Sequence, residues 1–179
     1  MTYFIDNTDI ILKNLSNLGE GKIIIANNYY GAFTYSWGSM GKNIEKFICN
    51  INKQYFADKL VRNKYEFNGK LSAKNIRKYI RTELKYELPY WKYMSGQKEL
   101  RNEIKKLESC SNEYEFVDMC QSIPDNLICF DLSYEEEKEF KSIISGIFKT
   151  EPWLFIGKNV THEYKWLCNL HEKLKKELN

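Results

Sequence analysis

With 179 residues, 43% of them hydrophobic and 15% aromatic, the chain has the apolar content of a folded globule with a sizeable core and not of a disordered tail. A formal net charge of +3 selects no partner by itself. Five widely spaced cysteines without a CxxC pair argue against a zinc ribbon or dithiol centre and for reduced core thiols. No basic N-terminal stretch leads into an apolar run, and no apolar segment approaches the ~20 residues that span a bilayer. A soluble, intracellular protein, one domain over residues 1–179, is expected.

In chain order, Thr2 to Ile5 and Ile10 to Leu15 are short apolar runs broken by Asp6-Asn7-Thr8-Asp9, as strands joined by a turn would be. After Gly19-Glu20-Gly21, the β-branched Lys22–Asn27 reads as a strand, and its Ile23-Ile24-Ile25 run suggests that part of it is covered on both faces. Gly31 then supplies a tight turn into Ala32–Trp37, where Phe33, Tyr35 and Trp37 alternate with small residues and define one large aromatic face. Residues 1–41 thus form a β-meander. From Lys42 the period becomes helical: Ile44, Phe47, Ile48 and Ile51 share one face, and Tyr55, Phe56, Leu60 and Val61 continue it in a second short helix.

Arg62 to Leu71 reads as a loop or an edge strand, and Ser72 as the N-cap of a helix from Ala73 to about Glu87 that ends before Pro89. Another helix is expected from about Tyr90 to Ser109, and a short one from Glu113 to Ser122, closed before Pro124. Leu127–Leu132 reads as a strand or a buried extended segment. Ser133 caps an amphipathic helix through Phe148, with Glu135, Glu136 and Glu137 suited to its dipole, and Thr161 caps a last helix burying Trp166, Leu167, Leu170 and Leu174. The fold class is α+β: a small N-terminal antiparallel sheet, then a mainly helical remainder over residues 42–179.

Charge is unevenly distributed. Residues 64–106 hold twelve Lys/Arg against five Asp/Glu, a net of +7, while residues 107–140 hold one Lys against ten Asp/Glu, a net of −9. Lys74, Arg77, Lys78, Arg81 and Lys85 recur mainly at three- and four-residue steps, a basic stripe opposite the apolar one, with Tyr86 and Trp91 following. Such a surface can track a phosphate backbone and stack on bases; it can equally be a solvated helix face. Tyr30, Phe33, Tyr35 and Trp37 are candidate interface anchors, if part of their face is exposed, for a partner or a homodimer; core packing is the plainer role.

Catalytic signatures are weak. His162 and His171 are the two histidines, and Cys168 three residues before His171 would need further ligands to hold a metal. Asp125 with Glu136 and Lys138 formally matches the PD…ExK nuclease pattern, but the second half falls in the first turn of an amphipathic helix and not on a strand. Gly38-Ser39-Met40-Gly41 lacks the ending of a phosphate loop. The expectation is a non-enzymatic protein with no catalytic residues, no cofactor and no metal.

The blocks NYYGAFTYSWGSMG (28–41), INKQYFADKL (51–60), ELPYWKYM (87–94), EPWLFIG (151–157) and KWLCNLHEKLKK (165–176) carry a resemblance that runs through most of the chain. It resembles small proteins of phages and prophages of low-GC and gut bacteria, a group similar to the anti-CRISPR inhibitors of Cas9. The resemblance implies a phage-encoded accessory protein that evades host defence by binding a bacterial effector nuclease of Cas9 type, its guide RNA or its target DNA, and it assigns no site residues. The alternative is a general phage DNA- or RNA-binding protein without a defence target.

Overall fold

The computed structural model describes residues 1–16, 19–89 and 92–179. It has the expected α+β architecture, an N-terminal four-stranded sheet and a helical remainder, and the chain packs as two compact units with separate cores. Unit one comprises Met1–Tyr65 and Val160–Asn179; unit two is Glu66–Asn159, inserted between them in sequence.

Unit one is built on an antiparallel meander of β1 (Thr2–Ile5), β2 (Thr8–Asn14), β3 (Gly21–Asn27) and β4 (Gly31–Trp37), in that order. Asp6 and Asn7, both at positive φ, make a two-residue turn, the type whose twist suits a hairpin. Thr8 and Asp9 consequently join β2 instead of its turn. The Asn27 Oδ1 accepts from the amides of Tyr29 and Tyr30 at 2.9 Å, and Gly31 at φ +82° completes the second turn. Ile10, Leu12, Ile23, Ile25, Phe33 and Trp37 form the inner face and pack with α1 (Ile44–Asn50), α2 (Lys53–Leu60) and the C-terminal helix α7 (His162–Leu178). The expected cover on both faces of β3 does not occur. Period-two alternation turns Ile24 outward between Ile11 and Thr34, where its strand neighbours half-bury it, and nearby Phe4 is 69% exposed.

His171 of α7 is buried, with Nε2 3.0 Å from the Ile48 carbonyl oxygen and its ring 4.8 Å from that of Phe56. Desolvation holds its pKa below the ordinary 6.5. Its neutral form therefore contributes stability that is fully present above pH 6.5 and is lost as pH falls from there through the folded-state pKa. Urea denaturation between pH 7.5 and 5 is expected to show this decline, and His171→Leu should flatten it while lowering stability throughout; an unchanged slope in the variant would refute the assignment.

In unit two, α3 (Gly69–Thr82), α4 (Met94–Lys106), α5 (Glu113–Asn126) and α6 (Tyr134–Phe148) surround a core that includes Ile76, Tyr93, Ile104, Phe116, Phe140 and Phe148. Two three-residue strands, β5 (Tyr65–Phe67) and β6 (Lys158–Val160), pair with each other. Ser133 caps α6 as expected: its side chain accepts from the Glu136 amide while the Glu136 carboxylate accepts from the Ser133 backbone, a capping box.

Several boundaries differ from the sequence reading. α4 begins at Met94 and gives way to a 3-10 turn at Leu107–Ser109, while Tyr90, the expected helix start, lies outside the described residues. α3 starts one turn early because Asn68, not Ser72, is the N-cap, its Oδ1 accepting from the Leu71 amide at 2.8 Å. Ser72 is instead buried on the inner face, donating to the Asn68 carbonyl at 2.9 Å and accepting from the Gly157 amide at 2.8 Å. α3 ends at Thr82, not Glu87, and Leu84 and Leu88 beyond it are drawn into the core. α5 runs through Pro124 to Asn126, since a proline in the last turn loses one hydrogen bond and here gains burial. Leu127–Leu132 is a turn, closed by the Leu132 amide on the Cys129 carbonyl, that buries Leu127 and Cys129 and exposes Ile128 and Phe130.

Candidate nucleic-acid interface

The basic stripe divides once it is folded. Ala73 and Ile76 face the core from α3, which turns its cations outward on both flanks. Lys74 and Lys78 are exposed, whereas Arg77, Arg81 and Lys85, four residues apart, border a concavity between α3 and α4 whose lining does not include Lys74 or Lys78. Lys85 and Tyr86 lie beyond the end of α3, in the turn that follows it. Tyr86 is 82% exposed, its ring centroid 4.5 Å from the Lys85 Nζ. Trp91 lies outside the described residues.

Across the concavity α4 contributes Arg101 and Lys105, one helical turn apart, so five cations rim a cleft of about 610 Å³. Ile80, Leu88, Leu100 and Ile104 supply apolar side chains to its lining. Gln97, also in the lining, ties the two sides together by donating from Nε2 to the Leu88 carbonyl at 2.6 Å. Among the described residues the lining contains no carboxylate. Arg77 is partly neutralised by Glu108 at 2.6 Å, an ion pair behind the rim, while Arg81, Lys85 and Lys105 form no ion pair among the described residues. A concave surface with one sign of charge over apolar walls focuses potential toward anions.

Arg101 and Lys105 were missed by the sequence reading. Their spacing is visible in the sequence, but nothing local indicates that they face Arg77 and Arg81.

The other candidate residues serve the fold. Phe33 and Trp37 are buried, Phe33 5.7 Å from Trp166 and Trp37 5.3 Å from Phe47 between ring centroids. Tyr30 stacks on Trp166 at 4.5 Å, and Tyr35 is half-buried beneath Lys59. The aromatic face is thus covered by the unit's own helices. Cys168 directs its sulfur to the Lys53 carbonyl, and His171 to that of Ile48.

The acidic stretch is also largely engaged. Glu113 pairs with Lys158, Glu137 with Lys141 and Glu139 with Lys92. Asp125, of the nuclease-like pattern, holds Lys149 at 3.0 Å, and Glu136 is occupied in the capping box, whose hydrogen bonds lower its pKa. The two are not brought into a shared ligand set: among the described residues no three His, Cys, Asp or Glu side chains are grouped as metal ligands. Nor is any helix among them long and apolar enough to cross a membrane.

A family model described as a phage family, Phage_phiTE_072, matches residues 2–179. No curated protein and no solved structure matches the chain. Matched over nearly its whole length, the chain belongs to that phage family.

Proposed function

We propose that this phage-family protein is a non-enzymatic nucleic-acid-binding accessory protein that engages phosphates through the cationic cleft between α3 and α4. The observation that carries the reading is the convergence of Arg77, Arg81, Lys85, Arg101 and Lys105 on one concavity with no carboxylate in its lining among the described residues. A solvated helix face would scatter its charges and leave them interspersed with acids. Here charges from two helices meet across an apolar floor, so the rim is suited to several phosphates of one strand. Fluorescence anisotropy with 30-nucleotide DNA and RNA tests this. Binding should be measurable at 50 mM salt and fall steeply toward 300 mM; no binding to either at 50 mM rejects it.

The finer reading is an inhibitor of a Cas9-type nuclease, favoured by the phage origin together with a surface able to hold guide RNA or target DNA. The pairing of much of the acidic stretch within the chain makes acidic mimicry of DNA the weaker route. Adding the protein to a plasmid-cleavage reaction before and after guide loading separates the readings. Near-stoichiometric inhibition that depends on the order of addition supports an inhibitor, and unimpaired cleavage alongside salt-sensitive nucleic-acid binding leaves the general binding protein.

A further inference from the structure

We infer that the α3–α4 cleft takes single-stranded nucleic acid, with one unstacked base seated on the apolar lining and its flanking phosphates on the cationic rim. This rests on the nucleic-acid-binding reading and adds which form is bound. A duplex keeps its bases stacked inside and presents phosphates on a convex outer surface. Against it, Arg81, Lys85 and Lys105 would find contacts, but the half-buried Ile80 would stay wet and the cavity unfilled.

A single strand can turn a base out of the stack, and every base has an apolar face that gains by leaving water. The cleft volume of about 610 Å³ lies in the range of small-ligand pockets. The polar lining also suits a base: Gln97 donates to the Leu88 carbonyl and Asn102 to Glu99 at 3.2 Å, and each side-chain amide keeps a carbonyl oxygen suited to accept from a base edge. Tyr86, exposed at the Lys85 end, offers a stacking surface for a neighbouring base. A free nucleotide shares this chemistry but uses fewer of the cations.

Anisotropy on the full chain tests the inference with three probes: a labelled 12-nucleotide single strand, a 12-base-pair duplex, and ATP as an unlabelled competitor. Alongside the wild type, Asn102→Leu removes an amide from the cleft at an exposed α4 position without removing a cation or a core residue and without adding a ring that could stack. The single strand should bind about 10-fold tighter than the duplex, and Asn102→Leu should weaken single-strand binding more than duplex binding. Equal or tighter duplex binding, or a single-strand preference that Asn102→Leu leaves intact, overturns the seated base but leaves nucleic-acid binding standing. Displacement of the strand by ATP at concentrations near the strand's own Kd overturns the strand as the ligand and assigns the cleft to free nucleotides. Failure of all probes to bind rejects the underlying function, and this inference with it.

Discussion

Gly69→Ala is expected to destabilise the protein by about 3 kcal/mol, whereas Gly146→Ala should stabilise it by up to ~1 kcal/mol. Both glycines are helical, and propensity alone favours alanine at each. A Cβ on Gly69, at the first position of α3, would lie 2.8 Å from the Leu107 carbonyl oxygen, 2.9 Å from that of Glu108 and 3.1 Å from that of Cys110. Those oxygens are backbone and cannot swing aside, so α3 would have to move off the 3-10 turn at Leu107–Ser109 and loosen the packing of Ala73 and Ile76. A Cβ on Gly146 meets nothing within 4 Å. Urea denaturation of the two variants reads the sign directly, and stabilisation by both would show that α3 does not pack this closely.

The second large effect concerns binding. Reversing Arg81, Lys85 and Lys105 together to glutamate should abolish measurable nucleic-acid binding at 100 mM salt, and any residual binding at low salt should have a salt slope reduced by about 3 in log–log form. Reversing Lys74 and Lys78, on the same helix but outside the cleft lining, should have a much smaller effect. A uniform basic stripe would lose comparable affinity in both cases, so the pair of measurements decides between stripe and cleft. All five positions are exposed, and substitutions there should leave stability within about 0.5 kcal/mol, measured by the same denaturation.

Local signals account for what could be read from the sequence. The alternation in β4, a turn after Ile5 and the Ser133 cap of α6 are each written within a few residues, and each appears in the structure, the turn as two residues and not four. Half of the cleft was legible in the same way, because Arg77, Arg81 and Lys85 repeat at helical spacing. The other half was not: Arg101 and Lys105 acquire meaning from tertiary packing of α4 beside α3. Ser72 shows the same limit from another side. It has the right chemistry for a cap, but Asn68 starts the helix one turn earlier, and the hydroxyl is drawn into bonds with Asn68 and Gly157. The aromatic stretch that stands out most in the sequence proved to be sheet core, since nothing in β4 reveals that Phe47 and Trp166 cover it.

The measurement closest to the central claim is a hydrogen-exchange footprint of the protein with and without a saturating single-stranded oligonucleotide. The account predicts added protection concentrated in residues 77–88 and 97–105, the two sides of the cleft. Protection confined to the four-stranded sheet of unit one, or to the acidic residues of α5 and α6, would contradict it.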